Sequence, residues 1–464
     1  MSVEQRGLGS RRAFEVKKAE EIGESLPTLR KVEKLQRALH AKAKGSPDFR
    51  FYSLYDKVYR EEVLRTAYGQ CLRNRGVAGV DGQTFKDIKA YGEARWLGEL
   101  AEELRKKTYS RSAVRRVWIP KANGKQRPLG IPTIKDRVVQ MAVVLVLEPI
   151  FEADLQPEQY AYRPKKSAHD AIRHVHSLVN TGHTEIIDAD LSGYFDTIPH
   201  SELMKSLGRR ISDKQMLQLI KSWLVAPVEE SDERGRTRRT TQNKDQRRGI
   251  PQGAPISPLL SNLYMRRFVL GWKKIGHEAR LDAHIVNYAD DFVICCRATA
   301  AEAADAMEKI MGKLKLRVNE QKTRLFRLTD ESFDFLGYTI GYCHSPKTGK
   351  TYIGTRPSKQ KVAALCREIS EMTSRRWLLL PVQERVHQMN RKLLGWSNYF
   401  CLGPVSKAYR AVDRHVCRRL RQWLCAKHKV QARGTSRFPD EYLYQNLGLI
   451  RLGERTRNFS WAKA

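Results

Sequence analysis

Tyr288-Ala289-Asp290-Asp291 is the stretch that decides the fold, and apolar residues flank it on both sides. Ile285-Val286 precedes it and Phe292-Val293-Ile294 follows it, which predicts a β-hairpin with two acids at its turn. Adjacent carboxylates repel each other and lose hydration when buried, unless a cation neutralises them. Their hard oxygen atoms suit Mg²⁺. Taken alone, an Asp-Asp pair is more often a solvated turn than a metal site, so a second signal is needed.

A second acidic segment lies about a hundred residues upstream. Residues 184–196 predict a strand that ends in acid and enters a turn containing Gly193. A further carboxylate from such a neighbouring strand, here Asp190, would complete a site for two metal ions about 3.5–4 Å apart. That kind of site activates a sugar hydroxyl as nucleophile and stabilises the leaving pyrophosphate. The two segments together therefore predict phosphoryl transfer.

The same two segments resemble motifs A and C of a reverse transcriptase, because Phe195 follows Asp190 by five residues and Tyr-Ala-Asp-Asp lies downstream. Segments similar to the other motifs of that family follow in its order: residues 119–132, 162–167, 249–262, 318–323 and 335–338. Residues 76–82 and 395–400 are similar to the N-terminal extension and the thumb of group II intron reverse transcriptases, also called maturases. The resemblance implies an α+β right-hand polymerase with fingers, palm and an α-helical thumb.

The resemblance also assigns the metal ligands. Asp190 and Asp290 would bridge two Mg²⁺ ions, for which Mn²⁺ can substitute, Asp291 would support the site, and Leu191 would offer its backbone carbonyl. Asp188 lies on the same strand face as Asp190, but its spacing to Phe195 does not fit the motif.

The nucleotide-binding residues follow in the same way. Lys121 and Arg127 match the residues that clamp the triphosphate, although surface charge is the simpler interpretation of each. Phe195 matches the aromatic gate that excludes a ribose 2′-hydroxyl, which implies deoxynucleotide substrates; a core aromatic is the alternative. Gln252 would contact the nucleotide and the template, and Gly253 would let the backbone approach closely.

Two further positions complete the match. Lys322 corresponds to the lysine proposed as the general acid towards pyrophosphate. Ala254 stands where a glycine is expected, a small change that hardly threatens activity.

Composition favours a polyanionic partner. The chain has 85 Lys and Arg against 51 Asp and Glu, a formal net charge of +34 and a pI near 10.0, which is typical of nucleic-acid-binding proteins. No run of 18 apolar residues indicates a membrane span, and Val138 to Leu147 has the length of a core helix. Eight cysteines without any Cys-x-x-Cys spacing favour free thiols in a reducing compartment. We expect a bacterial cytoplasmic, nucleoid-associated protein.

The chain divides into four predicted regions. Residues 1–75 form a helical, partly mobile N-terminal extension, residues 76–340 the fingers and palm, residues 341–440 the thumb, and residues 441–464 a short basic tail. Within them, the sequence predicts a helix from Leu26 to Gly45, a helix over residues 301–314 and a hairpin over residues 341–355. Residues 229–248 contain almost no apolar side chain, which predicts an exposed loop near the template.

The thumb carries much of the excess charge, because residues 356–464 hold 23 Lys and Arg against 7 acids. Arg410, Arg414, Arg418 and Arg421 recur at helical spacing, and the apolar series Val412, Val416, Leu420 and Trp423 recurs two residues later. This pattern predicts an exposed arginine stripe that binds phosphates, with a solvated face as the alternative. Interleaved aromatic residues such as Trp377 could stack on bases, but core packing is the commoner role.

The functional prediction is an RNA-directed DNA polymerase that binds group II intron RNA, assists its splicing and copies it from a DNA primer at the target. Nothing after the thumb resembles an HNH endonuclease, so we expect the primer to be a nick or fork end made by other machinery. We also expect that the short tail leaves little room for a large DNA-binding domain. Two alternatives stay open: a domesticated polymerase in repair or phage defence, and a splicing maturase without polymerase activity. A ribonucleotide polymerase is disfavoured by Phe195.

Overall fold

The computed structural model describes residues 26–120, 126–231, 236–345, 348–431 and 433–456. Within these ranges the strands form three sheets, and helices cover both faces of the central one. No helix in the described ranges is both long and apolar enough to cross a membrane. All eight cysteines are free thiols, as the sequence predicts.

From Leu26 onwards, the described chain forms five helices before the first strand: α1 (Leu26–Gly45), α2 (Tyr55–Val58), α3 (Glu61–Arg73), α4 (Phe85–Tyr91) and α5 (Glu93–Arg105). The first three pack against the long apolar helix α6 (Ile134–Glu152), α5 packs on α3, and α4 packs on α5. The predicted helix from Leu26 to Gly45 is confirmed. Its buried Val32, Leu39 and Ala43 belong to the same hydrophobic core as α6.

A proline in α6 explains one contact of α1. Pro149 has no N–H, so the carbonyl of Leu145, four residues earlier, lacks its helical donor. Gln36 Nε2 of α1 donates to that carbonyl at 3.0 Å, and His40 Nδ1 lies 3.0 Å from the carbonyl of Pro149. The N-terminal helix therefore satisfies the Leu145 carbonyl that the proline leaves without a helical donor.

The palm sheet has the strand order β6-β7-β3-β8, all neighbours antiparallel. Its strands are β3 (Glu185–Ala189), β6 (Ala283–Tyr288), β7 (Asp291–Cys296) and β8 (Arg324–Arg327). Ile187 and Ile294 face the main core, whereas Ile186 and Val293 face a second core shared with the thumb. Because both faces are buried, the strands contain continuous apolar runs rather than alternating ones.

Among residues 168–231 and 236–313, the helices of this central region are α7 (Ala168–Asn180), α8 (Tyr194–Thr197), α9 (His200–Gly208), α10 (Lys214–Leu224), α12 (Ser257–Lys274), α13 (His277–Leu281) and α14 (Ala300–Lys313). Helix α14 confirms the helix predicted from its many alanines. Helices α7 and α14 both contact the palm sheet.

The fingers sheet has the order β2-β1-β4-β5, with β1 (Val114–Pro120), β2 (Gln126–Ile131), β4 (Val228–Ser231) and β5 (Thr237–Thr240). The predicted loop over residues 229–248 is wrong. Its two halves pair as an antiparallel hairpin, β4 pairs in parallel with β1, and the short helix α11 (Gln242–Gln246) follows. Charged side chains on neighbouring strands, such as Glu229 and Arg239 at 3.7 Å, replace the missing apolar pattern.

The third sheet joins the palm to the thumb through β9 (Phe333–Phe335), β10 (Tyr338–His344) and β11 (Thr351–Pro357). Strands β10 and β11 confirm the predicted hairpin. The thumb helices are α15 (Lys359–Met372), α16 (Val382–Tyr399) and α17 (Ser406–Lys427), with a short 3₁₀ turn at Arg375–Trp377. A single-turn π-helix (Tyr442–Asn446) and α18 (Leu452–Arg455) return to α17, burying Leu443, Leu449 and Leu452 in the thumb core.

Candidate active site

Strands β6 and β7 place Asp290 and Asp291 at a tight turn, which confirms the predicted hairpin. Ala289 has a φ of +61°, in the left-handed region that a turn of this kind requires. The fully buried Asn287 stabilises the turn, because its side-chain amide donates to the carbonyl of Ala289 at 2.8 Å. The backbone of Asn287 in turn exchanges hydrogen bonds with Glu158 and Tyr160.

Asp190 follows the end of β3, and β3 is hydrogen-bonded to β7, so the acids of both segments come together at one edge of the palm sheet. The Asp190 carboxylate accepts from Lys322 Nζ at 2.9 Å and from Asn319 Nδ2 at 3.1 Å. The N–H of Asn319 also donates to the carbonyl of Asp190 at 2.8 Å. Leu191 buries its side chain in the main core, and the role of its carbonyl as a ligand stays a prediction.

The electrostatics of this edge indicate an excess of negative charge. Asp291 is exposed at the turn, but neighbouring protein atoms partly desolvate its carboxylate; this desolvation, followed by the charges of Asp290 and Asp190, raises its pKa to about 6. Desolvation and the charges of Asp291, Asp190 and Asp334 likewise raise the pKa of Asp188 to about 6. Carboxylates that resist ionisation together in this way favour a bound cation.

These acids line one cleft of about 600 Å³ between palm and thumb. Its walls include Asp188, Asp190, Asp291 and Lys322 from the palm, and Asp334, Lys361 and Tyr399 from the thumb side. Asp290 lies close by, since its charge raises the pKa values of both Asp291 and Tyr162.

The loop before α12 brings Gln252 against the fingers. Arg127 Nε donates to Gln252 Oε1 at 3.0 Å, and Gln252 Nε2 lies 3.3 Å from a carboxylate oxygen of Asp196. Gly253 has a φ of +100°, and a Cβ there would lie 2.7 Å from the carbonyl oxygen of Gly130. The close approach of β2 to this loop thus requires a glycine. Lys121 lies outside the described residues.

Phe195 lies in α8, directly after the Asp190 turn. Its side chain is 8% exposed and packs in the main core against Tyr194, with ring centroids 5.6 Å apart. Its carbonyl accepts from the N–H of Ile250, two residues before Gln252. The backbone of Phe195 therefore lies close in sequence to Asp190 and is hydrogen-bonded to the loop that carries Gln252. The role of its ring as a gate stays a prediction.

Family comparison explains this arrangement. The model of the reverse transcriptase (RNA-dependent DNA polymerase) family matches residues 119–340, and that of the group II intron maturase-specific domain matches residues 362–438. Protein YkfC of Escherichia coli K12 is 35% identical over 346 residues, which cover 67% of this chain and 88% of YkfC. The chain belongs to the group II intron reverse transcriptases. This confirms the predicted family, the right-hand polymerase fold and the enzyme class, an RNA-directed DNA polymerase with a maturase domain.

Two other proteins are similar to this chain over different shares of their lengths. The group II intron-encoded protein LtrA of Lactococcus lactis subsp. cremoris is 27% identical over 402 residues, covering 73% of this reverse transcriptase and 62% of LtrA. A telomerase structure from Candida albicans, in complex with a fragment of telomeric RNA, is 13% identical with a TM-score of 0.40 and covers 79% of this chain and 68% of the telomerase. That score is too low to support any conclusion about the fold.

The thumb of this reverse transcriptase shows the predicted two-faced helix. Val412, Val416, Leu420 and Trp423 are buried, and Arg410, Arg414 and Arg418 are exposed. The prediction that the fourth arginine is equally exposed is wrong. Arg421 is half-buried and donates to the Asp440 carboxylate at 2.5 Å and to the carbonyl of Phe438 at 2.8 Å. Helical spacing cannot predict this contact, because Asp440 lies 19 residues downstream and outside the helix.

The aromatic residues of the thumb are mostly core. Tyr409 is fully buried, and Trp396 packs against it and Phe400. Trp377 is 38% exposed, but the guanidinium groups of Arg376 and Arg385 lie over its ring at 5.2 and 5.3 Å.

The sequence does not predict several residues that the structure places at the site. The spacing of Asp188 to Phe195 does not fit the motif, although its position two residues before Asp190 on one strand is a signal that it faces the same cleft. Asn319 lies within a recognised motif but has no role there, and Tyr162 adopts a φ of +54° beside Asp290 and Arg127. Only the fold brings Asp334 and Tyr162 to the catalytic acids.

Proposed function

We propose that this reverse transcriptase copies RNA into DNA from deoxynucleotides at the cleft of Asp190, Asp290 and Asp291. The observation that carries the proposal is the convergence of carboxylates from β3 and β7 beside Lys322. Their donor set consists of hard oxygens, and the mutual repulsion of the acids favours a divalent cation, so Mg²⁺ fits better than a softer ion. Mn²⁺ is the expected substitute.

Two such ions, when bound by Asp190, Asp290 and Asp291, activate the primer hydroxyl and neutralise charge on the triphosphate. Protein groups supply the remaining functions. Asn319 orients Asp190 through both its backbone and its side chain. Lys322 neutralises Asp190 in the present state and, with a nucleotide bound, is released to donate a proton to the leaving pyrophosphate.

The fingers and the loop before α12 select the nucleotide. Arg127, together with Lys121, binds the triphosphate, and its bond to Gln252 links the fingers to the palm. Phe195 excludes the 2′-hydroxyl of a ribonucleotide. Single-turnover incorporation by Phe195→Val tests this role, because the smaller side chain should raise ribonucleotide use relative to deoxynucleotide use by at least about tenfold.

Phe326→Val in β8 is the matched control, since it truncates a half-buried aromatic residue of the palm sheet that pairs with Ile186, at the end of β3 away from Asp190. Equal discrimination by wild type and Phe195→Val would assign Phe195 to the core alone.

The RNA partner proposed is a group II intron RNA, bound by the thumb and its maturase domain, with exposed Arg410, Arg414 and Arg418 contacting phosphates. The maturase domain favours this partner over a domesticated role in repair or defence. The DNA primer would be the end of a nicked target or a replication fork, which places the enzyme at the bacterial nucleoid.

A splicing assay separates the two activities. Asp290→Asn should abolish DNA synthesis and leave RNA binding and intron splicing intact, because the substitution removes charge only at the catalytic cleft. A wild-type protein that supports splicing but synthesises no DNA would favour the maturase without polymerase activity.

A further inference from the structure

A cluster of two histidines and an aspartate lies at the far end of the palm sheet from the catalytic acids. His183 lies in the loop between α7 and β3, Asp282 caps α13, and His284 is the second residue of β6. Strands β3 and β6 both flank β7 and run parallel to each other, so their first residues meet beyond the last residue of β7. His284 and Asp290 are six positions apart in the sequence, which corresponds to about 20 Å of extended chain along β6 and into its turn. The cluster is thus separate from the polymerase site.

The side chains converge on one point. His183 Nε2 lies 3.0 Å from Asp282 Oδ1, and His284 Nε2 lies 3.3 Å from the same oxygen. One possible ligand atom from each of the three residues falls within 4.8 Å of the others. Around a tetrahedral Zn²⁺ with bonds of about 2.0–2.1 Å, ligand atoms lie roughly 3.3–3.5 Å apart. The observed separations match that geometry after small movements of exposed side-chain atoms.

The hydrogen bonds of His183 give an independent reason to expect a cation. His183 is buried, and its Nδ1 lies 3.1 Å from the carbonyl of Leu178 and 3.2 Å from the hydroxyl of Thr181. Because that hydroxyl itself donates to the carbonyl of Leu178 at 2.8 Å, we assign the hydrogen of the neutral ring to Nδ1. In the neutral ring, Nε2 then presents a lone pair to the carboxylate of Asp282, and two acceptors face each other. A positive ion between them removes the conflict. A backbone carbonyl holding the other ring nitrogen is also the usual support for a metal-binding histidine.

Arg297 completes the arrangement. Its Nε lies 3.0 Å from Asp282 Oδ2, which fixes the carboxylate and leaves Oδ1 towards the two imidazoles. Asp282 itself has a φ of +46°, a conformation that aspartate tolerates better than most residues and that turns the chain from α13 into β6.

We propose that His183, Asp282 and His284 bind one borderline transition-metal ion, Zn²⁺ in the first instance, with water as the fourth ligand. Two imidazoles and one carboxylate suit Zn²⁺, Co²⁺ or Ni²⁺ and not Mg²⁺. The ion ties the amino ends of β3 and β6, the two strands whose carboxyl ends carry Asp190 and Asp290. Its role is to stabilise the palm, and it takes no part in the polymerase chemistry.

Binding of Zn²⁺ to the full-length chain tests the proposal. The chelator-treated protein is titrated with Zn²⁺ in excess Mg²⁺, so that the catalytic carboxylates are already occupied, and both stoichiometry and melting temperature are followed. Co²⁺ provides a second readout, since a tetrahedral site with nitrogen ligands gives intense visible absorption. The wild type should bind one ion per chain, and its melting temperature should rise on binding.

His284→Gln and Asp282→Asn should each weaken Zn²⁺ binding at least about tenfold and remove the rise in melting temperature. His387→Gln, at an exposed position of α16, is the matched control and should behave as the wild type. Both test residues are only half-buried, so the variants are expected to fold, and the melting temperature without metal verifies this. Absence of tight binding by the wild type, or equal binding by the His284 variant, would overturn the proposal and leave His183 as a hydrogen-bond partner of Asp282 alone.

Discussion

Lys322 Nζ lies 2.9 Å from Asp190 Oδ2, so the lysine forms an ion pair with a carboxylate that is a proposed metal ligand. Both side chains are accessible, with 61% and 34% of their surface exposed, and the pair can therefore open without crossing a packed core. In the proposed mechanism, the ammonium would be a counter-charge before metal and nucleotide bind and a proton donor afterwards.

Lys322→Met should lower two measured quantities, the catalytic rate and the Mg²⁺ concentration that gives half of the maximal rate. The catalytic rate should fall by about 10²-fold, the usual contribution of a general acid, with little change in the nucleotide KM. The Mg²⁺ concentration for half-maximal rate should decrease, because no ammonium competes for Asp190. Single-turnover extension at varied Mg²⁺ measures both. Lys361→Met, in the same cleft, should leave the Mg²⁺ dependence unchanged; an unchanged dependence in the Lys322 variant would remove the competition from the account.

Gly253→Ala should damage both stability and nucleotide binding. The φ of +100° disfavours any side chain, and the new Cβ would lie 2.7 Å from the Gly130 carbonyl oxygen and from Leu129 Cδ1. We expect a loss of about 1–3 kcal/mol in unfolding free energy and a higher nucleotide KM, since Gln252 must shift. Gly312→Ala in α14 has open space around its Cβ and should stabilise the protein slightly. Urea denaturation and steady-state kinetics compare the two, and similar behaviour of both variants would contradict the close-packing argument.

Gln36→Leu should destabilise the docking of α1 on α6. The substitution removes the donor that satisfies the Leu145 carbonyl above Pro149, which costs about 1–3 kcal/mol when the acceptor stays buried. Arg37→Ala, whose side chain is 68% exposed, is the control and should cost little. Urea denaturation measures the difference, and equal losses would show that the Gln36 hydrogen bond does not stabilise the interface.

Glu148→Gln should change how stability depends on pH. Burial in α6, followed by the charge of Glu152, raises the pKa of Glu148 to about 7 in the folded protein. The folded state therefore holds this proton while the unfolded state releases it near pH 4.5, so the contribution of Glu148 is favourable at low pH and is lost as pH rises towards 7. The neutral variant should gain about 2–3 kcal/mol relative to wild type at about pH 8, and much less at about pH 5.

Thermal melts at the two pH values measure this gain. The exposed acid Glu308 in α14 supplies the control Glu308→Gln, which should shift melting equally at both. A pH-independent effect of Glu148→Gln would mean that its carboxyl is solvated in the folded state.

The catalytic hairpin could be predicted because its apolar runs are long and its acids interrupt them at one point. Residues 26–45, 300–313 and 338–357 were predictable for the same reason, since each carries a regular period or a clear turn. The sequence does not predict strands β4 and β5, because their cross-strand contacts are between charged residues, such as Glu229 with Arg239. A pattern of apolar residues cannot reveal strands of this kind.

Contacts between segments that are distant in the sequence limit how much of the site can be predicted from the sequence. The aspartates follow from motif spacing, but the hydrogen bond of Asn319 to Asp190 depends on how the loop before β8 packs against the end of β3, and that of Arg127 to Gln252 depends on how the fingers pack against the palm. The same holds for Arg421, whose partner Asp440 comes from a later segment. Sequence spacing identifies residues of one element, whereas pairings between elements require the packed structure.

The most direct test of the central claim is primer extension on an RNA template with deoxynucleotides and Mg²⁺, comparing the wild type with Asp290→Asn at equal RNA occupancy. The account predicts DNA synthesis by the wild type, a loss of at least about 10³-fold in the variant, and unchanged RNA affinity. Synthesis that survives the substitution, or tight RNA binding by a wild type that extends no primer, would contradict the assignment of Asp190, Asp290 and Asp291 as the polymerase site.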